Sequence, residues 1–250
     1  MKTIIQISDC HLLREKERKG YANLAPYYSL EQVLISLDTH ADCMLITGDI
    51  SGDDSQGSYD HFLQLMEKYV DIPWYVIPGN HDNNSHFDWT FKNQRLDANS
   101  PLELGDWCIH GLDTRPKVNA VGAQGEIDFA HVEQVHSGVT QNAHKYHLLA
   151  LHHHILPSNS WMDKHNLVNA EDFIQWLEDV KGIANVIHGH VHSSLRQCVG
   201  KRRINSYGCP STCWQWEMQP DFAVSNEPPG YQVIELHDNG HAEVTVKRIN

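Results

Sequence analysis

The sequence predicts an α/β fold, on three observations. Residues 43–46, 74–77 and 148–151 are uninterrupted apolar runs of four, too short for helices and suited to buried strands. Segments with apolar residues at helical spacing alternate with them. Strand after strand also ends in a side chain able to bind a metal, and α/β sheets form their sites at the carboxyl edges of strands.

The elements follow in order. Residues 3–7 read as the first strand, because the start of the chain has no long apolar stretch or small-residue cleavage site of an export signal. Ser29-Leu30-Glu31-Gln32 reads as a capping box opening a helix that runs to about Thr39. A strand at 43–46, a helix over 58–69 and a strand at 74–77 come next. A strand at 148–151 is followed by a helix over 169–180, with Asn169 as its N-cap, and by a strand at 184–187. Beyond Val191 the pattern changes to short strands at 194–198, 202–206, 231–236 and 242–247. Turns at Gly200 and Asp238-Asn239-Gly240 join them, so this half is expected to be antiparallel. No repeat or linker interrupts the chain, and its 250 residues suit one domain over 1–250.

Composition narrows the function. Nineteen Lys and Arg against 32 Asp and Glu leave a formal charge of −13, which disfavours long nucleic acid as a partner. No apolar run can cross a bilayer. The six cysteines form no CxxC pair and read as reduced thiols, so a cytoplasmic setting is expected. The sequence favours neither a monomer nor a homodimer.

Five predicted strands run into metal-ligand residue types: Asp9 and His11; Asp49 after Gly48; Asn80, His81 and Asp82 after Gly79; His152; and His190 with His192 around Gly189 and Val191. Asp9, His11, Asp49, Asn80, His152, His190 and His192 make seven candidate ligands, too many for one transition metal and suited to two ions if a carboxylate bridges. Asp49, alone on its loop, is the natural bridge. Imidazole with carboxylate favours Fe, Mn, Zn or Co over Mg or Ca. Two ions about 3.5–4 Å apart suit in-line phosphoryl chemistry, with a bridging hydroxide as nucleophile. His81 is then the expected proton donor to the leaving group, with Asp82 fixing its tautomer. His11, Asp49, Asn80, His81 and His192 are the residues expected to meet the substrate.

Asp-x-His, Gly-Asp, Gly-Asn-His-Asp, His and Gly-His-x-His, in that order, resemble the calcineurin-like metallophosphoesterase superfamily. The stretches 151–157, 160–167 and 210–215 resemble the bacterial class III 3′,5′-cyclic-AMP phosphodiesterases, so the resemblance covers nearly the whole chain. It implies a four-layer α/β/β/α sandwich of two mixed β-sheets flanked by helices. It implies one ion held by Asp9, His11, Asp49 and His192, and a second by Asp49, Asn80, His152 and His190. Fe or Mn are the metals it favours, and hydrolysis of 3′,5′-cyclic AMP to 5′-AMP is the activity. Ile155 stands where the family often has proline, which alters a loop and touches no ligand.

Each motif has a plainer reading. Asp9 with His11, and Gly48-Asp49, taken singly, are ordinary turns after strands. Their joint occurrence at successive strand ends reverses that judgement. His153, His154 and His188 read as supporting or packing residues. Trp161, Trp214 and Trp216 read as packing between the last strands and the loop after His154, or as a stacking surface for a nucleobase. The competing functions keep the same floor with another small phosphodiester: a glycerophosphodiester, a 2′,3′-cyclic nucleotide or a nucleotide-sugar pyrophosphate. A non-catalytic scaffold should have lost ligands, and here all seven and His81 are present. Lys201-Arg202-Arg203 is a local basic patch that keeps a nuclease in consideration.

Overall fold

In the computed structural model, which describes residues 1–37, 40–117 and 119–249, strands and helices alternate along the first three-quarters of the chain. The order begins β1 (Lys2–Ile7), α1 (Pro26–Ile35), β2 (Cys43–Ile46), α2 (Gln56–Tyr69), β3 (Trp74–Val76), α3 (Ser85–Thr90), β4 (Leu102–Leu104) and β5 (Trp107–Gly111). It continues α4 (Phe129–Gln141), β6 (Tyr146–Ala150), α5 (Ala170–Asp179), β7 (Ile183–His188), β8 (Arg196–Val199) and β9 (Ile204–Gly208). A ribbon of β10 (Gln215–Trp216) and β11 (Val224–Ser225) precedes β12 (Gly230–Leu236) and β13 (Ala242–Arg248).

Two mixed sheets result. One has the order β13-β12-β1-β2-β3, with β1, β2 and β3 parallel and β12 antiparallel to β1. The other has the order β4-β5-β6-β7-β9-β8, with β5, β6, β7 and β9 parallel. Side chains alternate across a strand, so an all-apolar strand needs cover on both faces. Ile5, Ile7, Met44 and Ile46 pack with residues of α1 and α2, while Ile4, Cys43 and Leu45 pack against Ile109, Leu148, Ala150 and Ile187 of the second sheet. Leu149, Ile183 and Val186 turn outward to Val132, Val135, Phe173 and Leu177 of α4 and α5. Helices, sheet, sheet and helices therefore stack as four layers.

Several expectations change. α1 begins at Pro26, because proline in the first turn presets φ and needs no amide hydrogen. Ser29 lies inside the helix and its hydroxyl donates to the Thr212 carbonyl at 2.6 Å, so it opens no capping box. α1 ends at Ile35, and the expected end at Thr39 lies outside the described residues. Asn169 occupies the N-cap position of α5, but its amide exchanges two hydrogen bonds with the Ile127 backbone instead. The last third is not simply antiparallel: β9 runs parallel to β7, and β12 with β13 returns to the first sheet beside β1. Arg202 donates to the carbonyls of Leu177, Val180 and Ile183, capping the end of α5, so the basic patch is reduced to its neighbours.

Leu148 is fully buried between the two sheets. Leu148→Ala is expected to cost about 2–5 kcal/mol of stability. A urea titration should show a lower midpoint at unchanged slope, whereas an unmoved midpoint would contradict the inter-sheet core.

Candidate metal centre

The parallel strands β1, β2 and β3 of one sheet, and β6 and β7 of the other, release their following turns at one shared edge. The turns are locally strained there. Asp9, His11, Asp49, His190 and His192 all adopt positive φ, from 45° to 70°, in the left-handed region that costs a non-glycine residue about 1–3 kcal/mol. Hydrogen bonds between the turns hold these conformations. The amides of Asp9 and His11 donate to the carbonyls of Gly48 and Asp49 at 3.0 and 2.9 Å. The Gly189 amide donates to the His152 carbonyl at 3.1 Å, and the His190 amide donates to the Asp9 carboxylate at 3.0 Å. Two glycines permit the approach: a Cβ on Gly79 would collide with the Asp49 carboxylate, and one on Gly189 with the Ser8 hydroxyl.

Donor atoms gather as a result. Asp9, His11 and His192 each bring a ligand atom within 4.8 Å of the others, as do Asp49, His152 and His190, and also His11, Asp49 and His81. The histidine tautomers follow from what lies behind each ring. His152 Nδ1 sits 2.7 Å from the Thr47 carbonyl, His190 Nε2 2.9 Å from the His165 carbonyl, and His192 Nδ1 2.9 Å from the Trp214 carbonyl. A carbonyl only accepts, so these nitrogens carry the protons, and the opposite ring nitrogens present lone pairs. Those lone pairs face carboxylates: His152 Nε2 is 3.3 Å from Asp49 Oδ2, and His192 Nε2 is 3.4 Å from Asp9 Oδ1. At His152 acceptor faces acceptor in a buried space and Nε2 has no hydrogen-bond partner, a conflict that a cation or an added proton resolves, whereas His192 Nε2 also lies 3.0 Å from His11 Nε2. Asn80 Oδ1 is likewise buried without a hydrogen-bond partner.

The electrostatics agree. Burial, with His192 beside it, pushes His11 down to about 3, and burial among His153, His152 and His154 holds His190 well below its usual range. Both rings are neutral at ordinary pH, the form that ligates metal. Burial would lower His152, but the Asp49 carboxylate raises it to about 9. Burial would raise Asp49, but His152 and then His81 hold it well below the usual carboxylate range. A proton on His152 thus takes the place of a metal ion beside Asp49. The donor set, with its stranded lone pairs, fits two ions of a transition metal.

His11, Asp49, Asn80, His81, His190 and His192 line a cavity of about 590 Å³. His81 stands at its exposed edge: its amide donates to Asp49 Oδ1 at 2.9 Å and its ring meets the His11 ring edge-on at 5.0 Å. Asp82 does not orient that ring. Its buried carboxylate accepts from the amides of Gly79, Ile50 and Ser51 and from the Tyr59 hydroxyl at 3.1 Å, so it joins the Gly79 turn to the Asp49 turn. Burial and the Asp49 charge push it up to about 6. His153 is held by Thr114 and the Ala123 carbonyl, His188 lies beside the Gly189 carbonyl, and His154 stacks on His190. Asp163 orders the loop after His154 by accepting from Ser158.

Trp161, Trp214 and Trp216 all line the cavity, and Trp214 and Trp216 also lie flat on His11 and His192. Residues 18–21 form part of the same wall and carry no motif that sequence reasoning could have found. The carbonyls of Thr47, His165 and Trp214 were missed for a different reason: a backbone acceptor has no residue signature.

A family profile described as calcineurin-like phosphoesterase matches residues 2–194. The 3′,5′-cyclic adenosine monophosphate phosphodiesterase CpdA of Haemophilus influenzae is 30% identical over 256 residues, spanning 98% of this chain and 89% of that protein. The protein of the same name from Escherichia coli K12 is 29% identical, with the same two coverages of 98% and 89%. A dimetal phosphatase from Danio rerio superposes with a TM-score of 0.69 at 13% identity, covering 95% of this chain and 93% of the other. A purple acid phosphatase from yellow lupin seeds gives 0.68 at 12% identity over 99% of this chain and 51% of the other. At such identities the solved structures speak for the fold alone, and they share the architecture found here. With the match running from β1 through the turn that carries His190 and His192, the chain belongs to the calcineurin-like phosphoesterase family.

Proposed function

We propose that this chain, acting as one catalytic domain in the cytoplasm, hydrolyses 3′,5′-cyclic AMP to 5′-AMP at a two-metal centre. The observation that carries the reading is the gathering of imidazole nitrogens and buried carboxylates around Asp49, opening into a cavity with an aromatic wall. The substrate comes from relatives named for that activity and aligned over nearly the whole chain. Free cysteines and the lack of a membrane-length helix among the described residues fit the setting.

Asp9, His11, Asp49 and His192 would hold one ion, and Asp49, Asn80, His152 and His190 the other. Nitrogen and oxygen donors in that mixture suit Fe or Mn, with Zn or Co as alternatives. Bound there, the two ions would polarise the phosphate oxygens and lower the pKa of water towards ~7. The protein's share is to place groups around that chemistry. Carbonyls of Thr47, His165 and Trp214 fix three imidazoles in the ligating tautomer. Asp82 locks the turn bearing Asn80 and His81 against the turn bearing Asp49. Opening the cyclic phosphate to 5′-AMP breaks the bond from phosphorus to O3′, and the departing oxygen needs a proton. His81, at the exposed edge of the cavity floor, is placed to give it and to regain one from solvent.

After metal reconstitution, turnover of 3′,5′-cyclic AMP is expected to exceed that of 2′,3′-cyclic AMP and of an aromatic test diester. Negligible turnover of the first alone would defeat the assignment. His81→Ala should keep its metal content while slowing hydrolysis about 10²–10⁴-fold. Loss of both ions in that variant, seen by elemental analysis, would show the role to be wrong. Asp49→Ala should lose both ions together, and a variant retaining a full pair would contradict the bridge.

A further inference from the structure

The cavity has a wall that the phosphate chemistry does not use. Residues Arg18, Lys19, Gly20 and Tyr21 line it from the segment that joins β1 to α1. The loop is seated on the site by Gly20. A Cβ there would run into the indole of Trp214, and that indole lies flat on the ring of His11, with centroids 5.4 Å apart and planes 20° apart. The seat is closed by its own backbone, since the Gly20 amide donates to the Leu24 carbonyl at 2.8 Å and Ala22 and Asn23 both take positive φ. No other residue would let the loop lie flat on the indole.

What the seated loop presents is specific. The Tyr21 ring meets Trp216 at 5.1 Å and Phe222 at 5.7 Å, both edge-on, yet remains 49% exposed, leaving much of its surface to the cavity mouth. Trp161 meets Trp216 from another side at 5.4 Å. Arg18 and Lys19 have no ion-pair partner among the described residues, and Glu17 beside them is occupied by the Tyr28 hydroxyl. Asp49 is the one carboxylate among the described residues of the lining, and although the Asp53 carboxylate feels Arg18, on a chain of charge −13 Arg18 and Lys19 place positive charge at the mouth of this cavity. Low-dielectric clefts of one sign concentrate ligands of the other.

We propose that residues 18–21 are the specificity element of the site: Tyr21, with Trp216 and Trp161, takes the planar base of a nucleotide, and Arg18 with Lys19 draws in its anionic phosphate. This rests on the reading of the floor as a phosphoesterase acting on nucleotides, and it assigns recognition to a loop that holds no metal ligand. Stacking on an aromatic ring favours any base without reading its edges. The loop therefore selects nucleotides over base-free sugar phosphates.

Two phosphomonoesters that differ only in the base separate this role from a structural one. Calorimetric titration of the metal-loaded protein with 5′-AMP and with ribose 5-phosphate should show tighter binding of 5′-AMP. In Tyr21→Ala, 5′-AMP is expected to weaken about tenfold, the range for one lost stacking contact, while ribose 5-phosphate stays within about twofold. Tyr21→Phe, which keeps the ring, should bind as the parent does. Arg18→Gln with Lys19→Gln should weaken both ligands at low salt, with the difference from the parent shrinking at about 0.5 M salt. Equal affinity of the parent for both ligands, equal weakening of both in Tyr21→Ala, or no effect of either variant would overturn the proposal. A parent that binds the two ligands with the expected contrast but turns over no cyclic nucleotide would instead count against the catalytic assignment alone.

Discussion

A carboxylate buried against the bare nitrogens of imidazoles is unstable unless positive charge lies between them, and Asp49 is in that position. The cause lies one layer back. Backbone carbonyls take the hydrogen of the rear nitrogen of His152, His190 and His192, so each ring must point a lone pair forward. Asp49 meets that of His152 at 3.3 Å and Asp9 that of His192 at 3.4 Å. The fit to metal ions follows from this confrontation. A proton can relieve part of it, as the raised His152 shows. Two cations would relieve it at both carboxylates.

The fold supplies the confrontation by convergence. Two sheets whose parallel strands end at one edge deliver short turns from opposite sides, and no single turn holds a complete set of donors. The cost is local: five of the ligand-type residues sit in the left-handed region, and glycines must stand where a Cβ would strike a neighbouring turn. Such strain persists only because the inter-sheet core around Ile4, Leu45, Leu148 and Ile187 fixes the strands that launch the turns. The loop proposed to recognise substrate holds none of these strained turns.

The parts of this arrangement that a sequence can encode by residue type were legible. Asp9, His11, Asp49, Asn80, His152, His190 and His192 stand out as metal-ligand residue types at strand ends, and the apolar runs before them mark the strands. Other parts depend on backbone geometry or on tertiary context. α4 was passed over although Val132, Val135 and Val139 recur at helical spacing, because Gly138 and β-branched residues weaken its local preference. β5 was hidden by His110, a polar residue in a fully buried strand whose Nε2 meets the ring of His147 at 2.9 Å. Asp82 looked like a partner for its neighbour His81, but three amides on two turns claim its carboxylate first. The Arg18–Tyr21 wall reads as a charged loop until Gly20 is seen against Trp214.

The most direct test of the central claim is anomalous diffraction from crystals of the protein loaded with manganese or iron. Two peaks are expected, one on either side of the Asp49 carboxylate, with Asp9, His11 and His192 around one and Asn80, His152 and His190 around the other. A single peak, or metal bound away from Asp49, would contradict the account.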